Sequence, residues 1–491
     1  MNSAYLSIHR LINRWTPRNI LWFAIIGFMV YFTFVAFARH DNFYSLRLDL
    51  GNMDQTVWNV LHGNGFTLTD PMGTAQESRL AVHADFLMIL MAPLYLLWSN
   101  PKMLIVVQVV IVCLGALPLY WIVRDRLKSQ KLALLFALGY LLYPPLERMM
   151  LHDFHAVALS TTFLLFAYWY MIKERYGWFV VFAVLSAFGK EQVWLAVGLM
   201  GVYIAIRNKR VVLGLVTAGL GFFFFYYLFW KAIPAVTPAR QHFALTYLSD
   251  FGDRQNAIIK NIIENPWSVI RTALLPDRLY YYFQLLLPVA FLPLFAPWAL
   301  LFGAHSMLIN VLSNNTLMRQ IDYQYTSDIT PFVFIAAAEG YAVLRTWLSR
   351  LRYTNHHVRL LRWLPVIVIT TIVGTSVAWG ELPMEMQSRF LYFTSSKPEN
   401  ETIRRVEAMM KPVYTVSVTN NIGAHFSERK YLYNFPLNAL TADYSIALLG
   451  DQYAWPSGDA QKAAVDALLK SPEYTLVVHE NDFYAFKRKG L

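Results

Sequence analysis

What constrains this chain most is the recurrence of apolar runs long enough to cross a bilayer. They lie near 20–38, 103–123, 131–146, 156–172, 177–190, 191–206, 211–231, 280–297, 298–313, 328–346 and 363–380. A helix needs about 20 apolar residues to cross ~30 Å of hydrocarbon. The pattern therefore predicts an α-helical polytopic membrane protein with about eleven transmembrane helices. Of the 491 residues, 56% are hydrophobic and only 15% charged, a balance seldom met in soluble proteins of this size. The first run is too long for a signal-peptide core and lacks a small-residue cleavage site, so it reads as a retained helix. The single cysteine, Cys113, sits inside an apolar run, which excludes an intrachain disulfide and a cysteine metal site.

The net charge of +11 is arranged as a topology signal. If alternate loops are assigned to the cytoplasm beginning with the N-terminus, those loops hold Arg10, Arg14 and Arg18; Arg124, Arg126, Lys128 and Lys131; Lys173 and Arg175; Arg207, Lys209 and Arg210; and Arg345, Arg350, Arg352, Arg359 and Arg362. Only Asp125 and Glu174 oppose them. Such a bias orients membrane proteins, and it argues against nucleic acid as a partner. The lipid bilayer is the expected environment, as a multi-pass plasma (inner) membrane protein with a cytoplasmic N-terminus.

Residues 84–98, ADFLMILMAPLYLLW, are apolar but short, and they carry Asp85 and Pro93. Counting them as a crossing would invert every later loop, so they are expected to lie at the outer interface. The stretch 39–102 then forms one long extracytoplasmic loop. The chain divides into a transmembrane domain, 1–380, and an extracytoplasmic α/β domain, 381–491. In the tail, VYTVSV, ADYSIALL and EYTLVV read as strands, AQKAAVDALLK as a helix, and FYAFKRK as the return strand of a hairpin.

Candidate chemistry concentrates outside the apolar runs. In YSLRLDLGNMDQTVWNVLHGNG (44–65), Asp49 suits an N-cap, with helix from Leu50 to about His62 and Gly63 or Gly65 ending it. On that reading Asp49 only caps and Trp58 only anchors. Further polar residues share the same side: Glu77, Arg79, His83 and Asp85; Glu147, Arg148, His152, Asp153 and His155; Arg319, Asp322 and Asp328. Ionisable groups at membrane depth are costly unless they pair or line a wet cavity, so the concentration points to a site. His152 and His155 fall at i and i+3, one helical face, but His-x-x-His without further ligands is a weak metal signal. Lys190-Glu191 reads either as a mutually neutralising pair or as a cavity lysine that binds an anion such as a lipid phosphate. The aromatic run GFFFFYYLFW (221–230) reads as a lipid-facing or packing surface.

RLDLGNMDQTVWNVLHG, VHADFLMILMAPLYLLWSNPKMLIVVQ, LLYPPLERMMLHDFHAVAL, GKEQVW and the tail's VSVTNNIGAHFSERKYLYNFP together resemble an uncharacterised family of bacterial and archaeal predicted membrane proteins. That family is grouped with the GT-C glycosyltransferase superfamily. The likeness runs through nearly the whole chain and implies a GT-C-like transmembrane domain. It also implies transfer of a sugar from a polyprenyl-phosphate carrier to a glycan, lipid or protein acceptor. In such enzymes an aspartate of the first extracytoplasmic loop is the catalytic base; Asp49 matches best and Asp54 second. A lysine near the outer end of a middle helix pair meets the carrier phosphate, which Lys190 resembles, with Arg148 or Arg79 as helpers. Glu191, His83, Asp85, His152, Asp153 and His155 are expected around the substrate. The first loop has no Asp-x-Asp or Glu-x-Asp pair, so the sequence does not support a divalent metal, which stays open as an alternative, and no other cofactor is expected. A transporter or lipid flippase is the alternative, although no repeated halves are visible; a non-catalytic membrane scaffold is the third.

Overall fold

In the computed structural model, which describes residues 16–350 and 355–491, four helices are long and apolar enough to cross a membrane: Pro17–Asp41, Lys102–Leu127, Val211–Val236 and Arg362–Trp379. Each coincides with an expected span. Arg10, Arg14 and Arg352 of the basic loops lie outside the described residues. Thr16 starts the first helix by accepting the Asn19 N–H on its side-chain oxygen at 3.3 Å, with Pro17 at the first helical position, where the missing N–H is harmless. Its outer face exposes Phe23, Ile26, Val30 and Phe34. Val212, Leu215 and Phe223 are exposed on the third of these helices. Apolar faces of this extent call for hydrocarbon rather than water.

Of the other expected spans, 328–346 is the 21-residue helix Thr330–Arg350, and most of the rest take shorter forms. Gln130–Leu141, Ala156–Ile172, Tyr176–Ala187 and Val193–Ile206 are apolar helices of 10–17 residues. The expected span 298–313 coincides with another apolar helix of this class, Pro297–Leu312, which begins as a 3-10 segment, Pro297–Gly303, whereas 280–297 is not one continuous helix: Pro276–Leu286 is followed by 3-10 turns at Leu287–Val289 and Leu292–Phe295. Pro288, Pro293 and Pro297 remove backbone donors and clash with a preceding turn, so no continuous helix persists there. Residues 84–98 form Leu87–Met91 and a 3-10 turn, Ala92–Leu96, too short to cross.

The tail folds around a five-stranded sheet. In chain order, β1 (Thr67–Thr69) and β2 (Gln76–Ser78) make a small hairpin in the first loop, and β3 (Val416–Val418), β4 (Leu432–Asn434), β5 (Tyr444–Leu448), β6 (Tyr474–Glu480) and β7 (Phe483–Arg488) make the tail sheet. Its order is β4-β3-β5-β7-β6; β3 runs parallel to β4 and β5, and β7 antiparallel to β5 and β6. The expected strands and helix (Gly458–Lys470) are present, and β4 is an addition.

The tail packs directly on the first loop. Phe43 belongs to the core on one face of the sheet, while Ala424 joins the core of the helical part. Two glycines allow the approach. A Cβ on Gly51 would lie 3.3 Å from the Ala424 Cα, and one on Gly423 would lie 2.6 Å from the Arg47 Cβ.

Candidate functional site

In the first loop a π-helical turn, Arg47–Gly51, continues into the helix Asn52–Leu61. Asp49 therefore lies inside the first turn and is not the N-cap expected of it. The free backbone donors at this helix start are taken by distant groups. Leu46 N–H donates to the Asp153 carboxylate at 2.8 Å. Arg47 N–H donates to the Asn420 carbonyl at 2.8 Å, and Leu48 N–H to the Asn420 side-chain oxygen at 2.9 Å. These partners satisfy orphan donors that a local cap would otherwise serve, so the Asp49 carboxylate is left for other contacts.

It faces a cavity of about 360 Å³. The wall is shared by Asp49, Asn52 and Met53; by Arg79, His83 and Asp85; by His155; by Lys190 and Glu191; and by Phe225, Phe229, Phe243, Ile309, Met318 and Tyr325. Phe229 sits in a second π-helical turn, Leu228–Ala232. Such turns re-aim side chains and recur at functional sites. The run 221–230 thus has two faces: Phe223, Tyr226 and Tyr227 are exposed, while Phe225 and Phe229 line the cavity.

Two groups of one carboxylate and two imidazoles border this space. In the first, Asp49, His152 and His155 bring one ligand atom each within 4.8 Å of the others. The His155 Nε2 stands 3.4 Å from the Asp49 Oδ1, and the Asp49 side chain keeps 29% exposure. The His155 Nδ1 donates to the Asp153 carbonyl at 2.9 Å, and the His152 and His155 rings are parallel with centroids 5.2 Å apart. His152 and His155 do not share a helical face as expected. His152 ends the helix Pro144–Leu151 in extended conformation, and a new helix starts at Ala156. Burial pushes the Asp49 carboxyl up, but the facing His155 and His152 rings more than offset it and hold it below the usual carboxylate range. Burial pushes the His152 ring down to about 3.

In the second group the Glu191 Oε1 meets His83 Nδ1 at 3.0 Å and His242 Nε2 at 3.1 Å, and its Oε2 accepts the Ala84 N–H at 3.1 Å. The neutralising Lys190–Glu191 pair is thereby corrected: Glu191 is held by histidines. Among the described residues no carboxylate comes within ion-pair distance of Lys190, whose Nζ lies 5.9 Å from the Tyr325 ring centre. Burial, and then the Lys190 charge, push the His83 ring down to about 4.

The remaining expected residues serve other contacts. Arg79 and Asp85 form a buried bidentate pair, with Nη2 to Oδ2 at 2.6 Å and Nε to Oδ1 at 3.1 Å, and so brace the cavity wall. Asp54 is buried away from the cavity, accepting from Tyr95 at 2.5 Å and Ser427 at 2.7 Å. Burial, and then the Glu428 charge, push its carboxyl well up. Asp153 is paired with Arg39. Arg148 is paired with Asp322 and lines a separate cavity of about 310 Å³ with Arg319 and Gln387. His242 and Tyr325 were not singled out in the sequence, since each stands in a loop without a patterned neighbour.

A family model described as "Predicted membrane protein (DUF2079)" matches residues 39–482. The chain belongs to that family. The match begins at the end of the first helix and takes in every cavity residue named above, so the DUF2079 region includes both the first loop and most of the tail sheet that caps it. No curated protein matches the chain.

Proposed function

We propose that this DUF2079 protein is a membrane glycosyltransferase of GT-C type. It moves a sugar from a polyprenyl-phosphate donor to an acceptor hydroxyl on the extracytoplasmic side, with inversion. On this reading the shorter apolar helices, Thr330–Arg350 and the broken stretch that begins at Pro276 join the four long helices in a bundle of about eleven crossings in the plasma membrane. The basic loops then face the cytoplasm, and the first loop and tail face out.

The observation that carries the reading is that Asp49, relieved of capping, and Lys190, with no carboxylate partner among the described residues, line one cavity whose wall also presents an aromatic and aliphatic face. A lipid-borne phosphate suits that combination: the Lys190 ammonium meets the anion and Phe225, Phe229, Ile309 and Met318 meet the prenyl chain. Asp49 takes the proton of the acceptor hydroxyl as that oxygen attacks the anomeric carbon. The bond to the phosphate breaks, and polyprenyl phosphate leaves beside Lys190. General-base help of this kind contributes typically ~10²–10⁴ in rate, and stabilising the leaving phosphate adds to it.

The test is release of polyprenyl phosphate from a panel of radiolabelled polyprenyl-phosphate sugars by protein in liposomes, with envelope glycans, lipids and peptides as acceptors. Wild-type turnover that falls by ~10²–10⁴ in Asp49→Asn supports the reading. No turnover with any donor, or an unimpaired variant, removes it.

A further inference from the structure

We infer that Asp49, His152 and His155 form a binding site for a divalent transition ion, with Zn²⁺ the fitting species. A backbone contact orients the His155 ring. Its Nδ1 contacts a carbonyl, that of Asp153, at 2.9 Å, and a carbonyl can only accept, so Nδ1 carries the proton. The His155 Nε2 then faces the Asp49 Oδ1 at 3.4 Å. A cation placed between these two atoms would be held by both. A metal-bound histidine that donates its other N–H to a carbonyl is the usual outer-sphere arrangement.

The spacing suits an ion. Zinc bonds of about 2.0–2.1 Å set tetrahedral ligands about 3.3 Å apart, against 3.4 Å for Asp49 and His155. His152 supplies a third ligand atom within 4.8 Å of the other two, and its ring nitrogens have no hydrogen-bond partner among the described residues. Two imidazoles and one carboxylate favour Zn²⁺ and similar ions over Mg²⁺ or Ca²⁺, which prefer all-oxygen shells. Three protein ligands leave the fourth position for a water or a substrate oxygen, and Asp49 and His155 both line the cavity.

The wiring of the second group excludes it. His242 Nδ1 accepts the Ala244 N–H at 3.1 Å, so its proton is on Nε2 and donates to Glu191. With Ala84 N–H on the other oxygen, Glu191 is already saturated and no lone pair of His242 is directed at it.

The site stands whether or not sugar transfer is the function, but it deepens that reading: Oδ1 of Asp49 holds the ion and Oδ2 remains to take the acceptor proton. The test is metal content of the detergent-purified protein after chelator stripping and reloading with Zn²⁺, alongside competition by excess Mg²⁺. The expected result is one Zn²⁺ per chain, untouched by Mg²⁺. Affinity should fall in His152→Gln and Asp49→Asn by more than the roughly 10–100-fold typical of losing an outer-sphere partner, with His83→Gln unchanged. Thermal unfolding of each variant checks the fold. If the folded wild type takes up no Zn²⁺, if His83→Gln is the variant that loses it, or if Mg²⁺ displaces it, the inference is overturned. Zinc uptake without sugar transfer would sink only the glycosyltransferase reading.

Discussion

The Asp49 and Glu191 groups share a composition, one carboxylate between two imidazoles, and differ in wiring. Glu191 accepts three N–H donors, from His83, His242 and Ala84, and is almost fully buried. Among the described residues Asp49 accepts no backbone N–H; it faces the His155 Nε2 at 3.4 Å and remains partly open to the cavity. A saturated carboxylate holds structure together, whereas an unsaturated one has capacity left for a ligand or a proton. Residue types alone would have ranked the two groups equally; the number of donors on each carboxylate separates them.

The largest test of that contrast is Asp49→Asn. Turnover should fall by ~10²–10⁴, while unfolding free energy stays within about 0.5 kcal/mol of wild type, because no cap is lost. A large loss of stability would return Asp49 to a structural role. Glu191→Ala should do the reverse. Three donors lose their acceptor at about 1 kcal/mol or more apiece, so denaturant unfolding should show a loss of roughly 3 kcal/mol, largely recovered in Glu191→Gln. Unchanged stability in the alanine variant would erase the distinction.

The smallest effect is on pH dependence. His83 and His152 have folded-state values near 4 and 3, below the ordinary ~6.5 of an unfolded chain. Between those values the unfolded chain binds more protons, so stability is highest above about 6.5 and declines as pH falls towards 4. His83→Gln should flatten the decline measured by thermal unfolding in the chelator-stripped protein. An unaltered slope would mean that His83 is not held neutral.

Much of the fold was legible because its signals are local. The four long spans are uninterrupted apolar runs, and β5, β6 and β7 alternate or cluster as strands do. The prolines that divide 276–312 were visible as breakers, but apolar content outweighed them in the span assignment. β4 was missed because three residues within KYLYNFP carry too short a pattern. At the site, the residue types of the first loop, His83, His155 and Lys190 were legible. The freedom of Asp49 was not, because its helix is capped by Asp153 and Asn420, which lie 107 and 372 residues from their donors. Nor could sequence separate Arg148 and Asp54 from the cavity, since only tertiary packing decides which polar residues converge.

The most direct test of the central claim is thermal unfolding of detergent-purified protein with and without undecaprenyl phosphate, in wild type and Lys190→Ala. At about a hundred times its dissociation constant the lipid should stabilise the wild type by ~2.7 kcal/mol, and the variant should show little or none of this. No stabilisation of the wild type, with a carrier-binding enzyme responding in the same detergent, or equal stabilisation of the variant, would contradict a carrier-phosphate site at Lys190.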